Sequence, residues 1–102
     1  MPETHYVYLA CCANGALYVG YTTNVERRIA AHNAGRGGHY TRANRPVVLV
    51  TTWSFNSKAE ALRAERVVKR LPRERKLALA EARHLWLETT HASTSSKTPD
   101  YL

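Results

Sequence analysis

Residues 6–21 read YVYLACCANGALYVGY: two short apolar and aromatic runs, Tyr6-Val7-Tyr8-Leu9 and Leu17-Tyr18-Val19-Gly20, on either side of Asn14-Gly15. Alternating β-branched and aromatic residues around an Asn-Gly pair predict a β-hairpin. Loop length decides which residues share a face, because a slip of one position turns every side chain over. A two-residue turn would pair Val7 with Thr22 and Leu9 with Gly20, splitting the apolar residues between faces. A three-residue loop, Ala13 to Gly15 with Gly15 left-handed, pairs Leu9 with Val19 and Cys11 with Leu17, giving one apolar face. That register is the expected one. It sets Tyr6, Tyr8 and Tyr18 on the opposite face, with Gly20 across from Tyr8, where a missing side chain leaves room for something to approach.

The pattern then changes. Thr23 and Glu26 have the spacing of a capping box, and Gly35 is a natural helix stop, so a helix is expected between them with Val25 and Ile29 inward. Arg28 follows Gly20 by eight residues and His32 follows Arg28 by four, so the two share one helix face. Arg36 to Arg45 reads as a glycine-rich, basic loop. Val47 to Trp53 is a near-continuous apolar run, expected to be a central strand buried on both sides. Ser57 and Glu60 make a second capping box, opening a helix to about Leu71, where Pro72 forces a break. Residues 73–87 are expected to form a third helix with Leu77, Ala80 and Leu85 inward. The stretch 88–102 is Ser/Thr-rich and without periodicity, as in a disordered tail. The expectation is one domain over residues 1–87, without internal repeats.

Composition narrows the classes. The chain has 102 residues, 44% of them hydrophobic, sufficient for one small core. A net charge of +7 and a pI near 9.9 favour polyanionic partners, nucleic acid before anionic membrane surfaces. No apolar run approaches the roughly 20 residues of a membrane span. Met1 to His5 lacks a basic n-region, so no signal peptide is expected. Cys11 and Cys12 are adjacent and form neither a disulfide framework nor a zinc-binding pattern, and a reducing cytoplasm is the expected location. Cys11 is expected to face the core and to be inert.

A few residues carry chemical potential. Glu65 interrupts a helical apolar stripe formed by Ala61, Leu62 and Val68. A buried carboxylate without a partner is costly. Two readings stay open: an ion pair with Lys69 four residues on, or a ligand for Mg²⁺, which favours one or two carboxylates completed by phosphate and water. Arg28 reads alone as one more charge on a basic helix, and His32 alone as a surface or structural histidine. On one face, an arginine can clamp phosphate and a histidine can hold a water or proton beside it. Tyr6, Tyr8 and Tyr18 are ordinary strand residues by propensity, or a phenol among them serves as general base.

Tyr6-Val7-Tyr8, Tyr18-Val19-Gly20, Arg28, His32 and Glu65, in this order, resemble the GIY-YIG nuclease superfamily over about His5 to Ala80. The small bacterial single-domain branch is the most similar, through Gly20-Tyr21-Thr22, His32-Asn33, Tyr40-Thr41-Arg42, Ala61 to Glu65 and the basic Lys69 to Lys76 stretch. Two features depart from the wider family. Tyr6 stands in place of the first glycine. Arg75 to Ala78 offers no asparagine where many members carry one.

The resemblance implies an α/β (α+β) fold, a three-stranded antiparallel sheet flanked by about three helices. It implies a divalent-metal-dependent endonuclease that hydrolyses DNA phosphodiester bonds in repair or recombination. In that scheme Tyr8 is the general base, assisted by Tyr18. Arg28 stabilises phosphate charge, His32 positions the tyrosine or water, and Glu65 holds Mg²⁺ or Mn²⁺. Arg36, Tyr40, Arg42, Arg45, Lys69, Arg70 and Lys76 are the candidate nucleic-acid contacts. With no attached recognition domain, contacts would fall on phosphates, which position without specifying sequence. The expected partner is DNA, with RNA as the alternative, together with a protein that targets the chain. A monomer is expected, hence nicking. The competing reading is a nucleic-acid-binding module that keeps the fold and has little catalysis.

Overall fold

The computed structural model describes residues 3–92, with side chains described to residue 83. The elements run β1 (His5–Cys11), β2 (Leu17–Thr22), α1 (Val25–Asn33), α2 (His39–Ala43), β3 (Val48–Phe55), α3 (Lys58–Arg70) and α4 (Arg73–Ala92). The three strands form one antiparallel sheet in the order β2-β1-β3. The chain divides into two compact units, one ending at Arg70 and the other beginning at Leu71.

The hairpin has the register that a three-residue loop requires. Leu9 pairs with Val19, Cys11 with Leu17, and Tyr8 with Gly20. Gly15 carries the left-handed φ of 86° that closes the loop, and its N–H bonds to the Cys12 carbonyl at 2.9 Å.

The order of the sheet corrects one expectation. β1, not β3, is the central strand, and Val7, Tyr8, Leu9 and Ala10 are all buried. The long apolar run of β3 lies on an edge instead, with Val48 61% and Leu49 40% exposed. Its pairing with β1 runs from Leu9–Thr51 directly to Ala10–Leu49, a bulge that passes over Val50 and breaks the alternation of the strand. A bulged edge strand shows no clean period of two, so its sequence looked like one buried on both sides. The cysteines also differ from expectation. Cys12 is buried in a cluster with Tyr8, Ala10 and Val47, whereas Cys11 is half-buried. Burial pushes the Cys12 thiol above its ordinary value, with Cys11 adding to the effect.

The helix α1 is capped by Asn24, not Thr23: the Asn24 side chain accepts from the Arg27 N–H. Ile29 of this helix packs against the Tyr8 cluster and Val25 is half-buried. The second box is as expected, since Ser57 Oγ accepts from Glu60 N–H and donates to Glu60 Oε1, both at 3.1 Å. The helix α3 packs against all three strands, and its Ala61 and Val68 are buried. The loop after α1 is not wholly irregular but holds the short helix α2.

In the second unit, α4 continues to Ala92, past the expected end at residue 87. Ala80 is buried as expected, but Leu77 is 41% exposed. Leu85 and the part of the expected tail beyond Ala92 lie outside the described side chains and residues. Among the described residues no helix is long and apolar enough to cross a membrane.

Candidate active site

The site begins with Tyr8. It sits on the central strand, so its ring is enclosed, and only 1% of the residue is exposed. Gly20 lies opposite and supplies the space. A Cβ at residue 20 would lie 2.8 Å from Tyr8 Cε1 and closer still to Cζ and the phenol oxygen. The glycine expected to admit an approaching group is thus filled by Tyr8 itself.

Two side chains of α1 reach the phenol. His32 Nε2 is 2.9 Å from the Tyr8 oxygen, and Arg28 Nε donates to the same oxygen at 3.4 Å. The i, i+4 spacing of Arg28 and His32 brings both to one atom. Arg28 also donates from Nη2 to the Gly37 carbonyl at 3.3 Å, tying the guanidinium to the following loop. Tyr18 completes the ring cluster, its centroid 5.2 Å from that of His32 and 6.2 Å from that of Tyr8.

His32 is fully buried. Its other nitrogen, Nδ1, lies 2.9 Å from Oγ1 of Thr41, itself 1% exposed. Gly37 leaves the imidazole its space, since any Cβ there would overlap His32 Nδ1. Asn33, the next residue, fixes the end of α1 to the start of β3. Its Oδ1 accepts from Val47 N–H at 2.6 Å, and its Nδ2 donates to Val47 O at 3.0 Å.

Burial dominates the electrostatics. It pushes the Tyr8 phenol above its ordinary value; the hydrogen bond from Arg28 opposes this, and the charges of Tyr18 and Glu65 add to it. Burial also pushes the His32 imidazole below its ordinary value, with the Arg28 charge in the same direction. Arg28 is held above its ordinary value, first by its bond to Tyr8. The resting site therefore holds a neutral phenol, a neutral imidazole and a charged guanidinium.

Glu65 stands on α3 between buried Ala61 and Val68, its side chain only 17% exposed. Its Oε2 lies 3.5 Å from Lys69 Nζ, and its charge reaches Tyr8. The carboxylate is thus ion-paired with Lys69, and its charge disfavours ionisation of the Tyr8 phenol. Among the described residues no three His, Cys, Asp or Glu side chains come together as a metal-binding group.

Of the candidate nucleic-acid contacts, Arg36, Arg42, Arg45, Lys69 and Arg70 are exposed. Arg42 and Arg45 line a hollow of about 460 Å³ with Asn33, Ala43 and Pro46. Arg36 and Arg42 line a smaller one of about 230 Å³ with Gly35, Gly38 and His39. Arg45 is anchored by donation to the Arg42 carbonyl at 3.1 Å and to the Asn33 carbonyl at 3.4 Å. Tyr40 is 49% exposed, and its phenol accepts from Asn14 Nδ2 of the hairpin loop at 2.9 Å. Lys76 belongs to the second unit.

Residues 4–78 match the GIY-YIG catalytic domain. The chain belongs to the GIY-YIG family. It is 54% identical over 79 residues to a UPF0213 protein of Staphylococcus haemolyticus, covering 78% of this chain and 96% of the relative. It is 53% identical over 76 residues to a UPF0213 protein of Natronomonas pharaonis, covering 74% and 89% respectively. The solution NMR structure of a UPF0213 protein from Bacillus halodurans has a similar fold, with a TM-score of 0.54 and 45% identity over 93% of this chain and 99% of that one. These relatives mark the small single-domain branch of a nuclease superfamily whose members generally act on DNA.

Sequence reasoning missed Thr41, Gly37 and Asn33 as parts of the site. Thr41 and Asn33 were visible only as branch signatures. The one available signal was the run of glycines just past His32, which marks a close approach of backbone to side chain.

Proposed function

We propose that this chain is a divalent-metal-dependent DNA endonuclease, selective for structure rather than sequence, that serves repair or recombination in the cytoplasm. The observation that carries this reading is the convergence of Arg28 and His32 on the buried phenol of Tyr8, within reach of the charge of Glu65.

The site's electrostatics suggest how a tyrosine acts as a base here. A phenol above its ordinary pKa does not persist as phenolate near pH 7. It can take a proton from water only while passing its own to an acceptor. His32 Nε2, 2.9 Å away and kept neutral by burial, is that acceptor. As water attacks phosphorus and the bond from phosphorus to the leaving oxygen breaks, the water proton moves to the Tyr8 oxygen and the Tyr8 proton moves to Nε2; the same chain then returns a proton from Nε2 through Tyr8 to the leaving oxygen. Arg28, donating to the same oxygen, steadies the negative charge that passes through it. Tyr18 walls the other side of the imidazole and helps to keep water from it.

Glu65, a single half-buried carboxylate, suits a hard cation that takes one carboxylate and keeps water and phosphate as its remaining ligands, as Mg²⁺ and Mn²⁺ do. Glu65 would hold it, and the ion would supply positive charge against the scissile phosphate and the leaving oxygen. Arg36, Arg42 and Arg45, exposed beside the hollows after α1, would track the backbone, and the accessible ring of Tyr40 would stack on an unpaired base. One site per monomer predicts nicking.

The test is cleavage of labelled single strand, duplex, flap and branched junction with Mg²⁺, Mn²⁺ or EDTA, comparing wild type with Glu65→Ala. The expected result is metal-dependent cutting by wild type that falls at least a hundredfold in the variant while DNA binding persists. Wild-type protein that binds every substrate and cuts none overturns the nuclease reading and leaves a binding module.

A further inference from the structure

Beyond Tyr8, Arg28 and His32, the hydrogen-bond chain continues through a residue with no assigned part in the chemistry. His32 Nδ1 meets Thr41 Oγ1 at 2.9 Å, and Thr41 Oγ1 in turn faces the Gly38 carbonyl at 3.5 Å. The directions of these bonds follow from the two ends. Arg28 Nε can only donate, so the Tyr8 oxygen accepts from it. The Gly38 carbonyl can only accept, so the Thr41 hydroxyl donates to it. Thr41 Oγ1 then accepts the proton of His32 Nδ1. The imidazole is left with an unprotonated Nε2, and the Tyr8 hydroxyl donates to that lone pair. The reverse polarity would aim two N–H groups, Arg28 Nε and His32 Nε2, at one phenol oxygen and leave the phenol's own hydrogen off the chain.

We propose that Thr41 is a positioning residue that fixes His32 as the Nδ1–H tautomer, so that Nε2 stays open to receive the Tyr8 proton. The proposal rests on the reading of Tyr8 and His32 as a proton relay. Thr41 touches neither phosphate nor water in that reading; it acts through the ring it orients, as the partner of a catalytic histidine's second nitrogen commonly does. The burial of both residues supports this role, because water cannot substitute for a missing hydroxyl at a fully enclosed Nδ1. Gly37 serves the same end by leaving the imidazole room to sit against Thr41. The other groups around the ring are Tyr8, bonded to Nε2, Arg28, bonded to Tyr8, and Tyr18, whose ring meets the imidazole edge-on; none is placed to accept a proton from Nδ1.

The test compares wild type with Thr41→Val, nearly the same shape without the hydroxyl, and Thr41→Ser, which restores it. The first readout needs no substrate. Long-range ¹H–¹⁵N correlation spectra of His32 should show a protonated Nδ1 and a bare Nε2 in wild type and Thr41→Ser. In Thr41→Val they should show the Nε2–H form or a mixture. The second readout is single-turnover cleavage of a branched junction. Thr41→Val should lose roughly tenfold to a hundredfold in the chemical step, with DNA affinity and KM unchanged, and Thr41→Ser should recover most of it. Thermal unfolding identifies loss of folded protein, and the Ser variant then decides the case. A Thr41→Val protein with the wild-type tautomer, or a Thr41→Ser protein as impaired as Thr41→Val, overturns the proposal. Wild-type protein with the expected tautomer but no cleavage overturns the nuclease reading and leaves the tautomer assignment standing.

Discussion

Replacing Gly20 with alanine adds a single methyl group where the structure has no room for one. In an ordinary β-strand the exchange is mildly stabilising, because alanine loses less backbone entropy on folding. Here the new Cβ would stand 2.8 Å from Tyr8 Cε1 and nearer to the phenol tip. Carbon atoms pack comfortably at about 3.5–4.0 Å, so the ring must retreat by about 1 Å. It cannot do so freely, since Tyr8 is 1% exposed and its oxygen is held by His32 and Arg28. Overpacking of this kind costs about 1–3 kcal/mol. The larger consequence is chemical: misplacing a reacting group by about 1 Å costs on the order of a hundredfold in rate. Gly20→Ala should therefore unfold at lower urea concentration and cut a labelled junction about a hundredfold more slowly, with DNA binding retained. A variant as stable and as fast as wild type would refute the claim that Gly20 makes the pocket for the Tyr8 phenol.

Stability should also depend on pH through His32. Burial and Arg28 keep its folded pKa below the ordinary 6.5. Below about pH 6.5 the unfolded chain therefore binds a proton that the folded chain refuses. The stabilisation is complete above that pH and is lost as pH falls from there through the lower folded value; urea titrations from pH 8 to 5 should show the fall, reduced in His32→Gln. Asn33→Ala removes both bonds to Val47 and leaves its N–H without that partner, so it should destabilise the domain by about 1–3 kcal/mol in the same assay. A loss below a few tenths would mean that the two bonds contribute little.

The hairpin register and the site residues of β1 and α1 were legible because they obey short periods. Alternation along residues 6–21 fixes which side Tyr8 faces, and the i, i+4 spacing of Arg28 and His32 places both on one side of α1. What was hidden is what tertiary closure decides. Whether an apolar run such as Val47 to Trp53 lies at the edge or the centre depends on which strand it pairs with, and the bulge past Val50 erases the alternation that would have helped. The choice of Asn24 over Thr23 as cap turns on a one-residue difference between two competent side chains. Thr41 reaches His32 only because the glycine-rich segment folds back, and no periodicity links positions nine apart across an irregular turn. Glu65 was legible as an anomaly, a carboxylate in an apolar stripe. Of its two open readings the structure shows the ion pair with Lys69, and the metal-ligand reading rests on the proposal above.

The most direct test of the central claim, that the buried phenol of Tyr8 relays the proton of the attacking water, is the single-turnover rate of junction cleavage in saturating Mg²⁺ for wild type and Tyr8→Phe, with DNA affinity measured on the same samples. Phenylalanine keeps the ring and removes only the oxygen that His32 and Arg28 address. The account predicts unchanged affinity and a rate lower by about 10²–10⁴-fold, the usual contribution of a general base. Cleavage at the wild-type rate by a folded Tyr8→Phe protein would contradict it.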